Sequence, residues 1–334
     1  MLAAETRRFS FGGISFLYLL CQTPANGASA SCPAPGAGFS STTFSSCADH
    51  ALNVCCPPAT ARPSAAPLIL LHGFAQSADV WDEVASRLAC KRPVHALDFV
   101  GQGESERPKD PAPYALKAVS DALLAFLRHV QQESGGLAPV VVGYSMGGRL
   151  ALAAACQACA GEPPASSLPF GMLVLESAGL GPASPAEREE MARRNAENAR
   201  RLREEGLAAF MEAWEQLPLF ATQRALPANV RQRQRDQRLA NDAEALARTF
   251  EGSGAHTMPD QEASLATIRA LVAYGVPVRY VAGALDDKYG ATADLVASQT
   301  PAVCHRVPAA GHNVHLEDAG AYVRLLEGIV SARR

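Results

Sequence analysis

The chain has 334 residues, 48% of them hydrophobic and 19% charged, and a formal net charge of −3. That length is enough for one large domain, or two small ones, with a buried core. With no extended basic block, no zinc-like Cys/His spacing and no apolar run of bilayer length, nothing points to nucleic-acid binding, a metal centre or stable membrane insertion.

Residues 1–66 differ from the rest. Arg7-Arg8 precede a short apolar run, 11–20, and the small residues Ala28-Ser29-Ala30 follow where a signal cleavage site would stand. The stretch 31–66 is rich in Ser, Thr, Ala, Pro and Cys and almost free of acids. This pairing resembles the bipartite plastid-targeting leader of an alga, and predicts that residues 1 to about 60 are removed. The competing reading is that 13–20 is the first strand of the fold, because Ile14, Phe16, Tyr18 and Leu20 alternate. Five of the nine cysteines fall in 1–66. The others (Cys90, Cys156, Cys159, Cys304) form no disulfide framework, and Cys156 and Cys159 read as buried thiols.

The globular part begins near Pro67. An apolar strand, 68–71, runs into His72-Gly73-Phe74, where the glycine lets the chain turn across the sheet end and leaves the Phe74 N–H as an anion donor. A second strand, 94–97, leads into Asp98-Phe99-Val100-Gly101-Gln102-Gly103-Glu104-Ser105. This loop lacks both the P-loop ending and the dinucleotide fingerprint, so it reads as structural, beside the site. A helix over 116–131 has apolar residues at helical spacing.

The chain is organised around 140–152. Three valines, 140–142, form a short buried strand and run into Gly143-Tyr144-Ser145-Met146-Gly147, followed by Ala- and Leu-rich helical sequence. Gly-x-Ser-x-Gly between strand and helix is a nucleophile elbow: a sharp turn lifts the Ser145 hydroxyl out of the sheet and aims the Met146 N–H at any oxyanion beside it. The bland reading is a glycine-flanked serine at a helix start. After a strand at 172–176, charged helix-forming sequence from Pro185 to about residue 250 reads as a helical cap inserted over the serine. Most of its charges suit a solvated face with i,i+4 pairs. Arg224, Arg231, Arg233, Arg235 and Arg238, opposed there only by Asp236, suit an anionic substrate.

The sheet pattern resumes at 276–282, ending in Gly283-Ala284-Leu285-Asp286-Asp287, and at 303–307, leading to Gly311-His312-Asn313. Ser145, then an acid, then a histidine is the chain order of α/β hydrolases. The hydroxyl needs an imidazole to take its proton, and the imidazole needs a carboxylate to fix its tautomer. Asp286 and His312 fill these places, with Asp287 and His315 as rivals. A closing helix spans 319–330. The fold class expected is α/β, a mostly parallel sheet flanked by helices with an inserted helical cap, as one domain over 67–334.

GYSMGGR at 143–149, LHGF at 71–74, WEQLPLFATQ at 214–223, RLANDAEALA at 238–247, LDDKY at 285–289 and AGHNVHLE at 310–317 resemble the 2-succinyl-6-hydroxy-2,4-cyclohexadiene-1-carboxylate synthases, lyases of α/β-hydrolase fold in the menaquinone/phylloquinone pathway. The resemblance covers about 67–330. It implies elimination of pyruvate from a carboxylated cyclohexene, with no cofactor and a small anionic carboxylate as the partner. Ser145, His312 and Asp286 would supply the base, and the Phe74 and Met146 amides the anion donors. Arg149 and Arg238 match positions that hold substrate carboxylates, and Tyr144 and Trp214 match pocket positions. The sequence departs from the family in three places. Met191 falls near the family's early cap arginine, among Arg188, Arg193 and Arg194. Asp260-Gln261 replaces an aromatic, and no opening hairpin is recognisable unless 11–20 supplies it. A serine esterase or carbon–carbon hydrolase is the alternative, and a non-catalytic receptor of the same fold a second. Nothing in the chain specifies an oligomeric state.

Overall fold

A computed structural model describes residues 3–22, 65–161, 164 and 167–331. An eight-stranded sheet runs in the order β1-β2-β4-β3-β5-β6-β7-β8. Its strands are β1 (Ala3–Phe11), β2 (Ile14–Gln22), β3 (Leu68–Leu71), β4 (Val94–Leu97), β5 (Val140–Tyr144), β6 (Met172–Glu176), β7 (Val278–Gly283) and β8 (Val303–Val307). From β4 to β8 the pairing is parallel. Alternate residues of β3 feed opposite cores, Leu68 and Leu70 one side, Ile69 and Leu71 the other. Burial of both faces explains why β3, β5 and β6 are continuous apolar runs rather than alternating ones.

The helices are α1 (Asp82–Leu88), α2 (Leu116–Glu133), α3 (Met146–Cys159), α4 (Pro185–Glu215), α5 (Ala228–Leu239), α6 (Ala243–Ser253), α7 (Gln261–Ala273), α8 (Asp287–Gln299), α9 (Val314–Glu317) and α10 (Ala319–Ser331). The cap is α4 to α6. Ser184 caps α4 by accepting from Glu187 N–H, and Gly206, at φ 81°, breaks its helical path. Phe210, Met211, Leu246 and Phe250 form the cap's own apolar cluster. Among the described residues, no helix is long and apolar enough to cross a membrane.

The N-terminus differs from the leader expectation. Residues 3–22 are a β-hairpin whose second strand pairs antiparallel with β4, Tyr18 opposite Leu97. Phe16, Tyr18 and Leu20 point into the core, and the Tyr18 ring meets Phe126 edge-on at 5.0 Å. The alternation at 14–20 is therefore a strand's, and the sheet starts well before Pro67. The Ala28-Ser29-Ala30 site and four of the cysteines, Cys32, Cys47, Cys55 and Cys56, lie outside the described residues. The 98–105 loop is structural, as read. Its Asp98 carboxylate accepts from Ala78 and Glu104 N–H at 2.6 and 2.9 Å, and Ser105 Oγ accepts from Leu17 N–H at 2.9 Å, tying loop to hairpin.

Loss of the hairpin removes Phe16, Tyr18 and Leu20 from the core, roughly 5–9 kcal/mol at 1.5–3 kcal/mol per buried side chain. That is comparable to a whole domain's stability. A chain of residues 62–334 is expected to aggregate, or to melt at least about 10 °C below the full chain. Equal melting temperatures would show that the hairpin is outside the cooperative unit.

His95, on β4, is buried between Tyr18 and Phe126, and burial lowers its pKa to about 3. The unfolded chain binds this proton near pH 6.5 and the folded one does not, so acidification favours unfolding. Between pH 7 and 5 His95 alone should cost about 2 kcal/mol. His72, lowered by burial to about 4, adds a loss of the same sign. In urea titrations His95→Phe should recover about 2 kcal/mol of the pH 7 to 5 loss. An unchanged pH dependence would contradict this account.

Candidate active site

Ser145 follows β5 and caps α3 at φ 49° and ψ −107°, a conformation that L residues avoid. It is held there from both sides. Its N–H donates to the Glu176 carbonyl at 2.8 Å, and its carbonyl accepts from Arg149 N–H at 3.0 Å. Gly147 permits the turn, because a Cβ there would lie 2.4 Å from the Leu71 carbonyl oxygen. Three non-glycine residues among those described have positive φ, Ala75, Ser145 and Ser177. All lie just beyond the ends of β3, β5 and β6, so the strain is gathered at one edge of the sheet.

At that edge His312 Nε2 lies 3.1 Å from Ser145 Oγ, and His312 Nδ1 lies 3.0 Å from Asp286 Oδ2. Asp286 and His312 are both buried. The other oxygen of Asp286 caps α8 by accepting from Tyr289 N–H at 3.1 Å, which fixes the carboxylate's direction. Gly283 lets the strand carrying the acid approach the histidine loop, since a Cβ there would sit 2.1 Å from the Ala310 and Gly311 carbonyl oxygens. The rivals are placed elsewhere. Asp287 is exposed in the first turn of α8, and His315 pairs with Glu176.

Met146 opens α3, so its N–H is one of the first-turn donors without an intrahelical acceptor. The N–H groups flanking Phe74 are taken up by side chains, Gly73 by Gln76 Oε1 and Ala75 by Gln102 Oε1, both at 2.9 Å. The Phe74 N–H between them has no acceptor among the described residues. Gln102 also reaches Met146 Sδ at 3.9 Å, linking the two donor segments. Gln76 and Gln102 were not legible as site residues. The only signal for Gln102 was a long amide inside a glycine-rich turn.

The cap supplies an aromatic wall. Trp214 packs on Phe74 at 5.2 Å, Phe210 at 5.7 Å, Phe250 at 5.8 Å and Phe220 at 6.2 Å, and Phe220 meets His312 at 5.8 Å. Tyr144 is buried behind the imidazole, its ring 5.3 Å from His312 and 4.9 Å from His315. The structure therefore gives Tyr144 a supporting contact to both histidines.

The two matched arginines differ. Arg238 is buried over the Phe220 ring at 5.3 Å, and its Nη1 donates to Glu215 Oε1 at 3.0 Å. Arg235 takes the other Glu215 oxygen at 2.8 Å, Arg224 donates to the Gln216 carbonyl, and Arg231 to that of Leu226. The arginine excess of the cap is thus largely absorbed within the cap, through an acid, Glu215, that precedes the stretch. Arg149, one turn after Ser145, has no carboxylate partner among the described residues, and the one hydrogen bond of its guanidinium there is to the Ser253 carbonyl at 3.5 Å. Desolvation lowers its pKa; the Tyr289 phenol opposes this, and the Arg194 charge adds to it. Near Met191, Arg188 is spent on the His256 and Met258 carbonyls. No group of metal-ligating side chains occurs among the described residues.

The arrangement can draw a proton from Ser145 through His312 and hold an anion at two N–H groups, beside a cation awaiting a counter-charge. The sequence pattern of the alpha/beta hydrolase family matches residues 68–325. The 2-succinyl-6-hydroxy-2,4-cyclohexadiene-1-carboxylate synthase of Enterobacter sp. (strain 638) is 32% identical over 272 residues, 81% of this chain and 94% of that protein. The same-named protein of Salmonella enteritidis PT4 (strain P125109) is 32% identical over 80% of this chain and 95% of its own length. Among solved structures, MenH from S. aureus superposes with a TM-score of 0.72 at 26% identity, covering 80% of this chain and 94% of that one. An esterase from Thermogutta terrifontis, at 20% identity and a TM-score of 0.66, shares the fold. The chain is a member of the α/β-hydrolase family of enzymes, on the branch that holds the 2-succinyl-6-hydroxy-2,4-cyclohexadiene-1-carboxylate synthases.

Proposed function

We propose that the enzyme is a lyase that eliminates pyruvate from 2-succinyl-5-enolpyruvyl-6-hydroxy-3-cyclohexene-1-carboxylate, giving 2-succinyl-6-hydroxy-2,4-cyclohexadiene-1-carboxylate in menaquinone or phylloquinone biosynthesis. The observation that carries this reading is Arg149: a half-buried guanidinium one helical turn from Ser145 with no acid partner among the described residues suits an anionic substrate, not an apolar ester. Kinship with the named synthases supplies the reaction.

In this reading His312 takes the Ser145 proton as the hydroxyl removes one from the ring, and Asp286 holds the imidazole with Nδ1–H toward its carboxylate. Charge that develops on the conjugated carbonyl is received by the Phe74 and Met146 N–H groups. The ring carbon–oxygen bond breaks, a ring double bond forms, and the enolpyruvyl group leaves as pyruvate enolate, which takes the proton held on His312 and becomes pyruvate, restoring the neutral imidazole. Arg149 holds a substrate carboxylate, and Phe74, Trp214 and Phe220 keep water from the ring face. Arg238, braced by Glu215 through Nη1, keeps other N–H groups for a second carboxylate. Delivery to a plastid rests on the leader-like features of 1–66, and the hairpin's place in the sheet weighs against removal of 3–22.

Pyruvate release by the full chain tests this. Arg149→Ala should lower kcat/KM by roughly 10- to 1,000-fold, the loss of a charge-assisted pair worth about 1.5–3 kcal/mol or more when its partner is left desolvated. Arg149→Lys should recover only part, lacking the planar fork. Turnover of a small neutral ester, if the enzyme has any, should hardly change. Equal losses on both substrates would reassign Arg149 to the elbow's structure, and no pyruvate from the unaltered chain would remove the lyase reading.

A further inference from the structure

Behind the site stands a second imidazole–carboxylate pair that the proposed chemistry does not use. His315 Nδ1 lies 2.9 Å from each oxygen of Glu176, and the His315 backbone N–H donates to Oε1 at 3.1 Å. Both side chains are fully shielded from solvent. Trp81 stacks on the His315 ring at 3.8 Å, and Tyr144 stands between this pair and His312.

The placement of Glu176 is what matters. It ends β6, the neighbour of the strand that delivers Ser145, and its backbone carbonyl is the acceptor for the Ser145 N–H at 2.8 Å. Its carboxylate grips the first turn of α9, three residues after His312. One residue thus holds the elbow by its main chain and the histidine segment by its side chain. Glu317 completes the hold by accepting from Gly311 and Asn313 N–H, on either side of His312, at 2.7 and 3.1 Å.

We propose that Glu176 and His315 are positioning residues, a brace that sets His312 relative to Ser145. Burying a carboxylate against an imidazole is a weak source of stability, and apolar residues of similar volume fill such space as well. Directed bonds to a backbone N–H, an imidazole and the elbow do what apolar packing cannot: they fix a distance. Misplacement by about 1 Å costs on the order of 10²-fold in rate.

The inference rests on reading Ser145 and His312 as the reacting pair, but not on the identity of the substrate. The experiment therefore measures two rates on the full chain, pyruvate release and phosphonylation of Ser145 by a small neutral fluorophosphonate. In the second, an Oγ–P bond forms, fluoride leaves and the hydroxyl proton passes to His312. The variants are His315→Asn, His315→Gln and Glu176→Gln. An asparagine amide nitrogen falls where Nδ1 was and still donates to Glu176; a glutamine amide does not reach that place.

His315→Gln and Glu176→Gln should lower both rates by roughly 30- to 100-fold with KM changed less than about threefold. His315→Asn should return to within about fivefold of the unaltered enzyme, although it too loses the Trp81 stack. Equal losses in the Asn and Gln variants, losses that follow melting temperature alone, failure of all three to fold, or no loss would each overturn the brace. A chain that reacts with the fluorophosphonate but releases no pyruvate would sink the proposed reaction while the brace is still judged on the rate of phosphonylation.

Discussion

A serine held in left-handed backbone at the end of a central parallel strand is the constraint on which the rest depends. The conformation costs on the order of 1–3 kcal/mol and persists only where its surroundings over-determine it. Here the surroundings are the Glu176 carbonyl on one side, the first turn of α3 on the other, and a glycine that lets β3 pass beneath. Ala75 and Ser177 carry similar strain at the neighbouring strand ends. The sheet offsets this cost through four-residue to six-residue strands buried on both faces, whose ends arrive side by side. Phe74, Ser145, Glu176 and Asp286 are distant in the chain and adjacent here because β3, β5, β6 and β7 are neighbours.

The cap determines which charges reach that edge. Most of its arginines are neutralised locally, in i,i+3 and i,i+4 pairs along α4 or by Glu215, Glu244 and Glu251. Exposed pairs of this kind contribute little to stability. Their effect is to leave the guanidinium on the elbow helix itself, Arg149, one turn after Ser145 and without a carboxylate partner among the described residues. For the proposed elimination on an anionic ring, a site walled by Phe74, Trp214 and Phe220 with such a cation would discriminate by charge and exclude water.

Much of this was legible in the chain. The elbow, the order Ser145, Asp286, His312, and the apolar strands are local signals, set by turn sterics and by burial of both sheet faces. The rivals Asp287 and His315 could be separated from the pair only by tertiary position, because their spacing is nearly the same. The hairpin was obscured because basic residues before an apolar run suit both a leader and an edge strand; its strand character shows only in the pairing of Tyr18 opposite Leu97. The neutralising role of Glu215 lay outside the arginine stretch, and its bonds to Arg235 and Arg238 span 20 and 23 residues. The Gln76, Gln102 and Glu176 contacts had no sequence signature, since a lone buried amide or acid at a strand end is common to many folds.

The central claim is that Ser145 acts on the substrate as a base and is never acylated by it. Intact-mass measurement of the full chain through a single turnover of 2-succinyl-5-enolpyruvyl-6-hydroxy-3-cyclohexene-1-carboxylate tests it most directly. The account predicts pyruvate release with the chain at its unmodified mass at every time point. An adduct on Ser145 that forms and decays at the rate of turnover would contradict it and identify the enzyme as a nucleophilic serine hydrolase.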